Sequence, residues 1–248
     1  MKNIMKKEIK SKMNKLIKCP KCGTKYDLSK SPQCPTPKSN YLWIFDNGHG
    51  GIIDGEYQTA GKRSPVWDDG SQLFEGEFNR AIVDRLVKMC NEGGIECINL
   101  VDTQEDIPLS ERTNKANDIY RKRLDGGGKC IYVSIHANGF SKESANGWSV
   151  YTSEGETKSD IVASVLAEKA QKEFPDEYMR KDTRDGDADK ESNFWVLRKT
   201  AMPAILSENF FMTNYDNCHK YLLSEEGRDR IAKIHFEMIK EIENTKIV

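Results

Sequence analysis

The sequence predicts an α/β domain in which a single, mostly parallel sheet is covered by helices on both faces. Compact apolar runs such as Tyr41-Leu42-Trp43-Ile44-Phe45 and Cys130-Ile131-Tyr132-Val133-Ser134-Ile135 have the length and composition of buried strands. Between them lie stretches of helical periodicity, one of which carries Phe78, Ile82, Leu86 and Met89 on a single face. The polar residues able to do chemistry collect directly after apolar runs, where an open parallel sheet presents its functional side chains.

Taken in order, the first run ends at Asp46 and reads as a strand, and Gly93-Gly94 stops the helix that carries Phe78 to Met89. Ile95 to Val101 reads as the next strand, and Leu109 to Arg123 as a helix ending near Gly126-Gly127-Gly128. Cys130 to Ile135 is the third strand and Gly147 to Thr152 a shorter fourth. The helix that follows is predicted to bury Ile161, Val162, Val165 and Leu166. Phe194 to Leu197 and Ala204 to Leu206 read as short strands, and Ile231, Ile234, Met238 and Ile242 mark a C-terminal helix. Phe174 to Ser192 is dense in charge and is predicted to form a loop beside the cleft.

The 248 residues suffice for one sizeable domain and a small appendage. A net charge of −1 offers no global field toward nucleic acid or an anionic membrane, so neither partner is expected. No run is apolar enough for a transmembrane segment. Ser29 to Asn40 holds three prolines among small polar residues and reads as a linker. It divides residues 1–40 from a main domain over residues 41–248. Met1 to Lys18 has the spacing of a Lys-rich amphipathic helix, solvated or docked on a protein partner, and lacks the apolar core of a secretory signal. Synthesis in the cytoplasm without a signal peptide is therefore expected. Cys90, Cys97, Cys130 and Cys218 sit in apolar contexts and read as buried free thiols. Cys19-Pro20-Lys21-Cys22-Gly23 with Cys34-Pro35 resembles half of a zinc ribbon, three ligands where a closed structural site needs four, and a second, structural zinc stays open there.

Two of the four histidines, His49 and His136, fall at strand ends, while His219 and His235 lie in the C-terminal helical region. Neutral imidazole is a common metal ligand, and the glycines around His49 allow a sharp turn and close approach. A catalytic zinc takes three protein ligands and keeps one position open. The third ligand is expected from a carboxylate at the start of the first helix, where Glu75 and Glu77 compete. Glu75 lies one turn before inward-facing Phe78, whereas Glu77 is out of phase and should be solvated, which gives Glu75 a small edge. Glu208 follows the apolar run Ala204-Ile205-Leu206, and burial there would raise its pKa and suit it to exchange a proton. Asp46 could orient His49 from behind, Asn138 could touch substrate, and Arg198 could pair with a peptide carboxylate.

Gly48-His49-Gly50-Gly51, Glu75 with Asn79, Leu109-Ser110-Glu111-Arg112 with Ala116-Asn117, Ser134-Ile135-His136-Ala137-Asn138 and Pro203-Ala204-Ile205-Leu206-Ser207-Glu208 come in an order that resembles the zinc-dependent N-acetylmuramoyl-L-alanine amidases. Phe211-Met212-Thr213-Asn214 is similar to that family's tail motif, and Asn47 departs from the proline many members carry. The resemblance, from about Leu42 to the C-terminus, implies zinc held by His49, Glu75 and His136, with Glu208 as the catalytic residue. It also implies peptidoglycan as substrate. The expected setting is a phage or prophage lysin acting on the cell wall. The competing expectations are a zinc peptidase or amidohydrolase on another substrate, and a virion protein that carries the same fold.

Overall fold

The computed structural model describes residues 16–18, 25–27, 39–183 and 186–248. Residues 1–15 of the expected N-terminal helix, with Cys19, Cys22 and Cys34, lie outside the described residues, while its last three residues, Leu16–Lys18, form a strand instead. Strands β1 (Leu16–Lys18) and β2 (Lys25–Asp27) pair antiparallel. The main domain then runs β3 (Tyr41–Asn47), β4 (Ile52–Ile53), β5 (Glu56–Tyr57), α1 (Glu75–Gly93), β6 (Cys97–Asn99) and α2 (Leu109–Asp125). It continues with β7 (Lys129–Asn138), β8 (Ser149–Thr152), α3 (Lys158–Glu173), β9 (Lys190–Glu191), α4 (Trp195–Lys199) and β10 (Ala204–Phe211). A short α5 (Tyr215–Asn217) passes into a π-helical turn at Cys218–Leu223, and α6 (Glu225–Thr245) closes the chain.

The main sheet has the order β6-β3-β7-β10-β8-β9. The pairs β6–β3, β3–β7 and β7–β10 are parallel, β10–β8 is antiparallel, and β8–β9 is parallel. Side chains alternate between two cores, as strand geometry requires. Trp43, Phe45, Ile131, Val133, Ile135 and Ile205 pack with Phe78, Ile82 and Leu86 of α1, Val162 and Leu166 of α3, and Ile231 and Met238 of α6. Ile44, Cys130, Tyr132, Ala204 and Leu206 point the other way, onto Ala116 of α2 and Val196 and Leu197 of α4. The sheet is therefore sandwiched by helices. The start of β3 is clasped by Glu243 of α6, whose carboxylate accepts hydrogen bonds from Asn40 N at 2.6 Å and Trp43 Nε1 at 2.9 Å.

Four local expectations change. Phe194 to Leu197 is not a strand: Trp195–Lys199 is one helical turn. Val196 and Leu197 are adjacent yet enter the same core, which a strand would forbid, and so short an apolar run carries no readable period. Ile161 is 37% exposed, because α3 buries Val162, Val165 and Leu166 and leaves Ile161 on its flank. Strand β6 is shorter than Ile95 to Val101. The stretch from Phe174 to Ser192 does not line the cleft among the described residues; instead Lys190–Glu191 extends the sheet edge, and buried Asp189 accepts a hydrogen bond from Thr152 Oγ1 at 2.5 Å. Cys90, Cys130 and Cys218 are buried, Cys97 is half-buried, and all four are free thiols. No helix among the described residues is long and apolar enough to cross a membrane.

Candidate active site

The site is built at the carboxyl ends of β3, β7 and β10, three neighbours in the sheet. After β3 the chain turns through Gly48, whose N–H donates to Ile135 O at 3.2 Å. Gly48 is required here: a Cβ would lie 2.0 Å from Cε1 of His136, so the absent side chain is the space the imidazole occupies. His49 follows in the left-handed region at φ 67°, which costs a non-glycine residue about 1–2 kcal/mol. Three side chains hold it there. Asn79 Nδ2 donates to Gly48 O at 2.9 Å, and Arg80 Nη1 and Arg112 Nη2 each donate to His49 O at 3.0 Å. The first turn of α1 lies directly on this loop, because a Cβ on Gly76 would sit 1.8 Å from Gly50 O. That contact delivers Glu75 to the histidines.

The ligand atoms of His49, Glu75 and His136 all lie within 4.8 Å of one another. Glu75 Oε1 is 3.2 Å from His49 Nε2 and 2.9 Å from His136 Nδ1, and the two rings meet edge to face at 4.9 Å. A tetrahedral zinc with bonds of about 2.0–2.1 Å separates its ligand atoms by roughly 3.4 Å, close to both spacings. Glu75 Oε2 is buried without a hydrogen-bond partner among the described residues, an arrangement that a bound cation would satisfy. Two imidazoles and a carboxylate form the donor set of a catalytic zinc with an open position, so the residues present fit that ion. Burial alone would raise the Glu75 pKa, but the hydrogen bond with His136 and the closeness of His49 overcome it and hold the carboxyl well below its usual range. Burial pulls His49 down, with Glu75 opposing. Burial also disfavours charged His136, but Glu75 outweighs it and raises that histidine.

Glu208 sits opposite His136 in the β10–β7 register and lines the same cleft. Its Oε2 is buried and without a partner among the described residues. Burial, reinforced by the charge of Glu75 and opposed by His136 and Lys62, pushes its pKa up to about 7. Asn138 also lines the cleft, its Oδ1 accepting from Gly139 N at 2.8 Å. Arg198 does not line it; α4 turns its exposed guanidinium over the Trp195 ring, 5.5 Å from the centroid. His235 is a satisfied core histidine between Ile231 O and Ser207 Oγ, with its pKa lowered by burial to about 4. His219 bonds Asp69 and Ser71 away from the cleft. Glu77 pairs with Arg228 at 2.8 Å rather than facing only water.

Asp46 does not touch His49. Its carboxylate takes hydrogen bonds from Arg112 Nη1 at 2.6 Å and from the hydroxyls of Tyr132 and Ser134 at 2.8 Å. Burial would raise the Asp46 pKa, and the charge of Arg112 with these hydrogen bonds holds it low instead. Arg112 also donates to Asn47 O at 2.8 Å and to Ile107 O at 2.8 Å. Asp46 therefore acts on the His49 loop through Arg112, which the sequence offers only as part of Leu109-Ser110-Glu111-Arg112. A signal was present: Arg112 lies one turn before buried Ala116, so it falls on the inward face of α2, where a cation needs a buried carboxylate.

A family model described as N-acetylmuramoyl-L-alanine amidase matches residues 44–241. The Bacillus subtilis protein YqiI is 27% identical over 214 residues, covering 85% of this chain and 89% of that one. A cell wall amidase of Bacillus anthracis is 30% identical over 209 residues, covering 80% of this chain and 35% of its own length. In structure, the amidase Ami1 of Mycobacterium smegmatis superposes with a TM-score of 0.65 at 19% identity, covering 84% of this chain and 98% of that one, which bears on the fold alone.

Proposed function

Because the chain belongs to the N-acetylmuramoyl-L-alanine amidase family, we propose that it is a zinc enzyme that cuts the amide joining N-acetylmuramic acid to L-alanine in peptidoglycan. The observation that carries the zinc assignment is the His49–Glu75–His136 cluster with Glu208 beside it in one cleft. Zinc, when bound, acidifies a water and polarises the amide carbonyl. His49, Glu75 and His136 would hold it. Glu208 takes the proton from the attacking water as the oxygen bonds the lactyl carbonyl carbon. It then returns that proton to the alanine nitrogen as the C–N bond breaks. In the metal-free protein burial raises this carboxyl, the direction that suits a group that must both accept and return a proton. Asn138 is kept as a substrate contact on its place in the cleft lining, and Arg198 is dropped from that role. Residues 41–248 form the catalytic unit of this proposal, and the phage or prophage lysin setting stays part of it. That setting fails if the gene lies among host division or sporulation genes instead of lysis genes.

Digestion of purified cell walls followed by mass spectrometry tests the bond. The expected products are stem peptides with a free L-alanine N-terminus and unsubstituted glycan; cuts confined to the interior of the peptide overturn the assignment. Metal analysis tests the site. His49→Ala is expected to contain one zinc fewer per chain than the unaltered protein and to release no stem peptide. Unchanged zinc content in that variant rules His49 out as a ligand.

A further inference from the structure

The cleft encloses about 850 Å3 around the ligand cluster, and its walls differ in chemistry. The side built by α2 and α4 presents Leu109 and Trp195, and the loop after β7 adds Phe140. Their exposures are 54%, 39% and 55%. Only ten large hydrophobic side chains are this exposed among the described residues, and these three share one cleft. Exposed apolar groups gathered beside a reaction centre mark a surface that a ligand covers. Trp195 is held in place, its Nε1 3.4 Å from Thr113 Oγ1, with Arg198 and Lys199 at 5.5 and 5.6 Å from its ring. Phe140 is pinned by its N–H, which donates to Thr213 Oγ1 at 3.0 Å.

The other side presents two exposed cations, Lys62 and Arg63. Lys62 O accepts from Glu75 N at 2.9 Å, so this segment is tied to the ligand cluster. Arg63 is steadied over the rings of Tyr57 and Phe74, at 5.9 and 5.8 Å.

The proposed substrate has the same division. On one side of the scissile amide is a pyranose with C–H-lined faces; on the other is a peptide bearing carboxylates. We propose that the cleft fixes the direction of the substrate, with the muramic acid ring seated against Trp195 and Leu109, and the stem peptide running over Lys62 and Arg63. An apolar ring face gains from aromatic contact and a carboxylate does not, while the cations attract only the stem. The inference rests on the amidase reading and adds the substrate's orientation and the residues that select each half.

Steady-state kinetics of the zinc-loaded enzyme on two pairs of soluble substrates test it. The first pair is an N-acetylmuramoyl peptide and the same peptide carrying only a lactoyl group. The second is a stem with free carboxylates and its amidated form. Trp195→Ala is expected to raise KM about tenfold on the sugar-bearing substrate, as the loss of one aromatic contact implies, and to leave KM for the lactoyl peptide within about twofold. Trp195→Phe should restore most of the loss. Arg63→Gln should raise KM for the stem with free carboxylates and spare the amidated one. An effect of Trp195→Ala that follows stem charge, or that is equal with and without the sugar, overturns the orientation. If the unaltered enzyme cleaves neither member of the first pair, the amidase reading itself fails, a result distinct from loss of orientation.

Discussion

Glu208→Gln is expected to lower peptidoglycan hydrolysis by about 10²- to 10⁴-fold while zinc content stays at that of the unaltered protein. The side chain keeps its shape, so the packing of β10 against β7 survives, and Glu208 is not a member of the ligand cluster. What is lost is the group that accepts the water's proton and returns it to the amine. A second readout separates this chemistry from a structural role. In the metal-free protein Glu208 titrates near 7 instead of near 4.5, because burial disfavours its charged form. The folded chain therefore holds that proton more tightly than the unfolded chain does. Metal-free stability should fall as pH rises from about 4.5 to about 7, by up to about 3 kcal/mol from this group. Glu208→Gln should flatten that slope in denaturant unfolding. A variant that digests walls at a normal rate would overturn the assigned role.

Arg112→Leu is expected to destabilise the fold by about 3–5 kcal/mol and to weaken zinc binding, although Arg112 is not a ligand. The substitution leaves the Asp46 carboxylate, 1% exposed, without its cation. It also removes the hydrogen bonds to the carbonyls of Asn47, Ile107 and His49. His49 is held in an unfavourable backbone conformation, so a lost restraint lets the loop relax and carries the imidazole away from Glu75. Adding Asp46→Asn should recover part of the stability, since it removes the buried unpaired charge, but not the zinc affinity. Guanidinium unfolding and zinc titration measure the two effects. A cost below about 1 kcal/mol for Arg112→Leu would show that the clamp does not hold the loop.

The strands Tyr41–Asn47 and Lys129–Asn138 and the helices Glu75–Gly93 and Glu225–Thr245 were readable, because buried strands and long amphipathic helices write their periods directly into the chain. The turn Trp195–Lys199 was not, because five residues hold too little of either period. His49 and His136 could be found at strand ends, and the order of motifs favoured Glu75 over Glu77. Spacing alone came close to a tie, since both glutamates stand in the first turn of one helix. The contact between Gly76 and Gly50 O sets which of them meets the histidines, and it joins residues that no local pattern connects.

By itself, then, the sequence determined the layered α/β architecture, the residue types of the candidate ligand set and the placing of Glu208 directly behind the apolar run Ala204-Ile205-Leu206. Only the tertiary structure decided that Asp46 serves Arg112 rather than His49, that Arg198 turns out of the cleft, and that an aromatic wall faces a cationic one. The physical reason is range. Periodicity and turn chemistry act over a few residues, whereas a buried charge is satisfied by whatever side chain the packing of distant elements brings within hydrogen-bond reach, here 66 positions along the chain.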